Sequence, residues 1–178
     1  MVIAIAGPHG GGKSTHAKKI AEEFNFRYIT IGLIFREMAK EKNLSLEEFS
    51  LYVEKHPEID KEMDDRIILE AKKGDNVIID SQLSAWMTED LSNIKIYFTA
   101  PKSVRIKRIA ARENISYEKA ETETTTRENS EKKRYKELYN IDISNLSIYD
   151  IIINTDIWSI ESTSQILKVA IMEYLENQ

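Results

Sequence analysis

The chain has no cysteine, which removes disulfides, thiolate metal sites and cysteine nucleophiles from consideration. Only three prolines and six glycines occur among 178 residues, and there is no proline-rich linker, low-complexity stretch or internal repeat. One domain with a full core is the expectation. No apolar run approaches the roughly 20 residues that span a bilayer. The first residues enter a strand pattern directly, so no signal peptide is expected. The net charge of −5 argues against a protein that coats nucleic acid with positive charge. The histidines His9, His16 and His56 have no metal-ligand spacing, and no Ser/His/Asp nucleophile arrangement is legible. A cytoplasmic protein is expected, with no nucleic-acid or membrane partner and no obligatory protein partner.

Four of the six glycines fall in one place, Gly7-Pro8-His9-Gly10-Gly11-Gly12-Lys13-Ser14-Thr15. This stretch fits G-x-x-x-x-G-K-[ST] without a mismatch. Val2 to Ala6 before it is apolar throughout, as a buried parallel strand requires. Ala17, Ile20, Ala21 and Phe24 after it recur at helical spacing. A strand-to-helix junction of this kind grips phosphate: its N–H groups point inward and the helix N-terminus favours negative charge. Lys13 is placed to reach the β- and γ-phosphates, and the Ser14 hydroxyl to ligate Mg2+. His9 reads as a tolerated variable position of the loop.

Five strand candidates appear: Val2–Ala6, Phe26–Thr30, Asn76–Asp80, Ile94–Thr99 and Asp150–Asn154. Helical patterns separate them, so the expected class is α/β with a parallel sheet and right-handed crossovers. Two connections exceed what one crossover helix needs. The first, about 32–74, reads as three helices. Ser45-Leu46-Glu47-Glu48 makes a capping box before a stripe of Leu46, Phe49, Tyr52 and Val53. Pro57 suits the first turn of the next helix, whose face carries Ile59, Met63, Ile67 and Ala71. The second runs from Pro101 to Tyr139, and there the charge balance inverts. Residues 102–136 hold eleven Lys and Arg against six Asp and Glu, and five of the eight arginines.

Asp80 ends the third strand in the manner of a Walker-B carboxylate that holds magnesium, although the pattern equally describes a polar residue closing a buried strand. Arg108 and Arg112 share a helix face, as do Arg127 and Arg134. Phosphoryl transfer wants such a set, because charge spreads over three equatorial oxygens and a guanidinium fork binds them bidentately. The rival reading is a solvated, salt-bridged helix with Glu113, Glu128 and Glu131 as partners. Arg105 and the lysines are assigned to that solvated face. Arg36, one short turn beyond the second strand, is a candidate for a second phosphate-bearing ligand. Asp60, Asp64 and Asp65 read as solvated, with one of them in reach of a base, and Trp86 and Trp158 read as packing residues.

The chain resembles the nucleoside monophosphate kinases, and most closely the short archaeal type of cytidylate kinase. The resemblance covers essentially the whole length. It rests on the phosphate loop, IFRE at Ile34–Glu37, SLEEF at Ser45–Phe49, PEIDKEMD at Pro57–Asp64 and DSQLSAWM at Asp80–Met87. RIAARENISYEKA at Arg108–Ala120 and TRENSEKKRYKELYNIDISNLSIYDIIINT at Thr126–Thr155 are more restrictive. It implies a P-loop NTPase fold with a five-stranded parallel sheet in the order 2-3-1-4-5. The first excursion would be a monophosphate-binding insertion and about 108–134 a lid. By the same resemblance Gly7 to Thr15 would cradle ATP and Arg36 would hold the acceptor phosphate. Arg108, Arg112, Arg127 and Arg134 would surround the transferring group, and the loop after Asn154 would face adenine. Two departures stand out: Leu33 where the family often has a polar residue, and Ser81-Gln82 where it has Gly-Arg. Gln82 becomes the candidate to hydrogen-bond the acceptor.

The expected activity is transfer of the γ-phosphoryl of MgATP to CMP, with dCMP as a second acceptor. An adenylate or broad-specificity monophosphate kinase is the alternative within the class. A P-loop regulatory ATPase that signals by conformation is the alternative outside it.

Overall fold

The computed structural model describes residues 1–44, 46–56 and 58–177, without the side chains at 46, 47, 50, 51, 54 and 130. Along the chain run β1 (Val2–Ala6), α1 (Lys13–Phe24), β2 (Arg27–Thr30), α2 (Ile31–Glu41), α3 (Leu46–Lys55), α4 (Glu58–Ala71) and β3 (Val77–Asp80). Then follow α5 (Ser84–Met87), β4 (Ile94–Thr99), α6 (Lys102–Glu113), α7 (Tyr117–Tyr139), β5 (Ile151–Asn154) and α8 (Ile160–Glu176). The five strands form one parallel sheet in the order β2-β3-β1-β4-β5, as the resemblance implied. The first long excursion is indeed three helices, α2 to α4. The capping box at Ser45 and the first-turn proline at Pro57 lie outside the described residues, as does the side chain of Leu46.

Every residue of β1 is buried, and its alternation sorts the two faces of the sheet. Ile3 and Ile5 point to one side, where they join Phe98, Ile153 and the inner faces of α1 and α8 at Ile20, Leu167 and Ile171. On the other side Val2 meets the α2–α4 layer at Met38, Phe49, Met63 and Ile67. Ala4 and Ala6 on that side leave room for Ala85 of α5 and the ring of Tyr149. The helical pair α6–α7 has a small cluster of its own, Ile106, Ile109 and Ala120, with Ile115 and Tyr117 against it.

Glycine scarcity shows in how the helices stop. Among the described residues, those with left-handed φ outside glycine are Asn25, Asn43, Asn114 and Asn140, at φ between 53° and 56°. Asn25, Asn114 and Asn140 are the C-terminal caps of α1, α6 and α7. Asparagine is the residue besides glycine that best tolerates this conformation. The glycines are thereby concentrated where no side chain fits, between β1 and α1 at the carboxyl ends of the central strands. Open α/β sheets bind ligands at that edge.

Candidate active site

The loop between β1 and α1 is shaped by what presses on it. Gly7 has φ 143° and Gly10 φ 74°. A Cβ on Gly7 would stand 2.1 Å from the Phe98 carbonyl oxygen of β4, and one on Gly10 2.6 Å from that of Arg105 in α6. Both positions therefore need glycine twice over, for conformation and for space. Lys13 opens α1, and its ammonium curls back to donate to the Gly7 carbonyl at 2.7 Å and the Pro8 carbonyl at 3.2 Å. Burial lowers its pKa, with the charges of Asp80 and Glu131 working in the opposite direction.

Ser14 Oγ donates to Asp80 Oδ2 at 2.6 Å, and the Tyr28 hydroxyl donates to the same oxygen at 2.8 Å. Asp80 is buried at the end of β3, paired in register with Ile5 of β1 and Thr30 of β2. A hydroxyl and a carboxylate are hard oxygen donors of the type magnesium takes, and they meet beside the phosphate loop, so the residues fit that ion. Arg36 lies in α2, the helix that follows β2 and Tyr28.

The arginines are already engaged. Arg108 donates to the Thr155 carbonyl and hydroxyl, both at 2.8 Å, and to the Gly10 carbonyl at 3.3 Å, so it bridges the phosphate loop to the segment after β5. Thr155 Oγ also lies 3.0 Å from the Gly11 carbonyl, tying the same segment to the loop. Arg127 Nε donates to Glu131 at 2.9 Å, one turn on along α7. Arg134 reaches from α7 to Asp60 of α4 at 2.6 Å. Arg112 pairs with its sequence neighbour Glu113, whereas Arg108, Arg134 and, through Glu131, Arg127 are tied to the loop or to another helix. Glu113 and Glu131 are thus real partners of Arg112 and Arg127, and Asp60 is the ion-pair partner of Arg134.

Two sequence readings need correction. Arg105, assigned to a solvated face, is 8% exposed. It donates to the His9 carbonyl at 2.8 Å and to Glu128 at 2.6 Å, because α6 lies directly against the loop. His9 is no bystander either. Its Nε2 meets Glu131 Oε2 at 2.8 Å, and Gln82 Nε2 donates to that oxygen at 3.3 Å. Gln82 also borders a cavity of about 390 Å³ with Pro8, Tyr97, Glu131 and Tyr149. Tyr28 and Thr155 were missed by sequence reasoning, and Glu131 was read as an arginine partner without its link to His9. Only Thr155, the polar residue just past a strand end, carried a signal.

The remaining histidine near the loop is structural. His16 is buried, stacked on Phe98 with ring centroids 4.9 Å apart, and burial takes its pKa down to about 4. Trp86 packs edge-on against Tyr149, as a packing residue should, whereas Trp158 after β5 is exposed. Among the described residues there is no cluster of three metal-ligating side chains, and no helix is long and apolar enough to cross a membrane.

α7 is also strapped to α4 near its end, where the Tyr139 hydroxyl donates to Asp64 at 2.7 Å. Burial raises the Asp64 pKa to about 6, helped by the charges of Asp60 and Asp65 against the Tyr139 hydrogen bond.

Residues 2–157 match the model of a family described as cytidylate kinase-like. The cytidylate kinase of Staphylothermus marinus is 49% identical, covering 99% of each chain. That of Pyrococcus horikoshii is 50% identical over 96% of this chain and 88% of its own length. For that of Methanocaldococcus jannaschii the values are 49%, 96% and 97%. Among solved structures, an uncharacterized protein from Eubacterium ventriosum superposes with TM-score 0.71 at 19% identity, over 100% of this chain and 99% of its own. Shikimate kinase from Bacteroides thetaiotaomicron gives 0.62 at 16%, over 97% and 98%. At those identities the structural likeness speaks for the fold.

Two outcomes follow from this geometry. Arg105→Ala strips a buried ion pair and leaves the His9 carbonyl without its donor, so it should cost about 2 kcal/mol or more of stability in urea unfolding. A loss below about 0.5 kcal/mol would return Arg105 to the solvated face. For Asp64 the folded pKa is raised, so the folded state holds the extra proton. Its contribution is present at low pH and fades as pH rises from about 4 through about 6. Asp64→Asn should flatten that slope and gain stability at pH 7, read from unfolding midpoints across pH 4 to 8. An unchanged slope would contradict the burial argument.

Proposed function

The chain belongs to the cytidylate kinase-like family, and we infer from that membership and from the site that it transfers the γ-phosphoryl of ATP to the phosphate of CMP, with dCMP as a second acceptor. One observation carries the reading. A phosphate loop with Lys13 and the Ser14–Asp80 pair is bordered by guanidinium groups from two helices, in a chain 49% identical over 99% of its length to a cytidylate kinase.

On this reading Gly7 to Thr15 hold the ATP phosphates. Lys13 leaves the Gly7 and Pro8 carbonyls for phosphate oxygens, which compensate its buried charge better than two carbonyl dipoles do. Ser14 and Asp80 would hold Mg2+, whose chemistry is to neutralise charge on the β- and γ-oxygens. Arg36, with Gln82, would take the acceptor phosphate from the side of α2. Arg108 would lie against ATP, with Arg127 and Arg134, and Arg112 once its side chain leaves Glu113, meeting the transferring group. No general base is needed, because the attacking group is already an anionic phosphate oxygen. Positioning, charge neutralisation and exclusion of water carry the rate.

In this account 1–178 is a single kinase domain, with 32–74 as the acceptor insertion and 108–134 as the lid. A cytoplasmic location belongs to the same reading.

The test is a coupled ADP-release assay with ATP and each of CMP, dCMP, UMP, AMP and GMP. CMP should exceed AMP and UMP in kcat/KM by about tenfold or more, roughly the 1.4 kcal/mol that one or two base-directed hydrogen bonds supply. Lys13→Ala should keep the circular dichroism of the fold and lose most of this turnover. Equal rates with AMP would favour a broad-specificity kinase. ATP hydrolysis unaffected by any monophosphate would favour a regulatory ATPase.

A further inference from the structure

Three side chains converge beside the loop on a carboxylate that phosphoryl transfer has no evident use for. Glu131 is 8% exposed at its side chain, in a place soon to be filled with phosphate charge, where a buried anion should be costly. Its two oxygens go different ways. Oε2 faces His9 Nε2 at 2.8 Å and Gln82 Nε2 at 3.3 Å, and Oε1 accepts from Arg127 Nε at 2.9 Å. One carboxylate therefore links the phosphate loop, the turn after β3 and an arginine of α7.

The atom used on Arg127 matters. The bond is made through Nε, so both terminal nitrogens of the guanidinium stay available as the fork that suits phosphate oxygens. The Arg127 side chain is 66% exposed, so without this bond a long, flexible side chain would have to be ordered during the reaction. The loop end of the link is held twice. The His9 side chain meets Glu131, and the His9 carbonyl accepts from Arg105, itself paired with Glu128 one turn earlier on α7. Burial alone would raise the Glu131 pKa, but the hydrogen bond and charge of His9 and those of Arg127 hold it below the usual carboxylate value. The carboxylate stays ionised, as an acceptor from both sides must.

We propose that Glu131 is a positioning residue: anchored on the phosphate loop through His9, it holds Arg127 by Nε so that the two terminal guanidinium nitrogens are set in advance toward the transferring phosphoryl group. Glu131 itself touches neither nucleotide. The proposal rests on the kinase reading above and extends it to how one of its arginines is aimed.

A double-mutant cycle tests it, with kcat and the KM for ATP measured on wild type, Glu131→Gln, Arg127→Ala and the double variant. Glutamine keeps the shape and one acceptor but cannot hold both donors with charge. Glu131→Gln should lower kcat about tenfold or more while changing the KM for ATP by less than about threefold. In the Arg127→Ala background the same change should alter kcat by less than about twofold, because the group it positions is gone. A carboxylate that merely supports the fold would give the same loss in both backgrounds, and that result would overturn the proposal, as would unchanged kcat in Glu131→Gln. Glu131→Asp, charged but one methylene short, is the second probe and should show the same dependence on Arg127. If circular dichroism shows that neither replacement folds, the role is structural and the proposal falls. Wild-type turnover with CMP is the control: its absence overturns the functional reading and this proposal together, whereas equal losses in active enzyme overturn this proposal alone.

Discussion

A loop can close around a phosphate chain with its own N–H groups only where nothing else occupies the space, and here two neighbours claim that space from behind. The Phe98 carbonyl of β4 and the Arg105 carbonyl of α6 lie where a Cβ of Gly7 or Gly10 would sit. The contact fixes the loop against the sheet edge on one side and against the arginine-bearing helix on the other. Lys13, Ser14 and the start of α1 inherit their positions from it. Because α6 touches the loop backbone, Arg105 and Arg108 are delivered to it as well. The glycines thus set the distance between the phosphate site and the cations as much as they shape the site.

Around this loop the charges satisfy one another. Lys13 rests on carbonyls, Arg108 on Thr155, Arg127 on Glu131 and Arg134 on Asp60. Lys13 and Arg108 rest on neutral groups that phosphate oxygens can outbid, since charge-assisted bonds to phosphate are stronger than those to neutral carbonyls and hydroxyls. The partners also connect elements far apart in the sequence. Glu131 joins α7 to the loop, and Asp60 and Asp64 join α7 to α4 of the first excursion. An acceptor drawing Arg134 away from Asp60 would therefore loosen the strap between α4 and α7. Binding at one nucleotide site and movement at the other would then be coupled through one helix.

The sheet was legible because β1 and β3 are uninterrupted apolar runs, and the loop because its pattern demands a specific chemistry at each position. Asp80 and Ser14 met as expected for the same reason. What could not be read was which way charged side chains turn in the second excursion. Helical spacing puts Arg105 on the same helix as Arg108 and Arg112 but does not reveal that α6 abuts the loop. That contact buries Arg105 while leaving Arg112 in solvent. His9 looked dispensable because the loop pattern allows any residue there, and its partner Glu131 lies 122 positions away. Tyr28 reads as an ordinary strand aromatic, and only the pairing of β2 with β3 brings its hydroxyl to Asp80. Long-range partners of polar side chains leave no local periodicity to detect.

The central claim is that the guanidinium groups now resting on protein partners converge on a phosphoryl group in transit. A crystal structure with ADP, CMP, magnesium and a planar fluoroaluminate in place of the transferring group tests it most directly. The account predicts Lys13 and the terminal nitrogens of Arg127 and Arg134 at about 3 Å from the fluoroaluminate or its bridging oxygens, with Arg134 released from Asp60. It would be contradicted if both nucleotides were bound while Arg134 remained on Asp60 and the Arg127 fork still faced solvent.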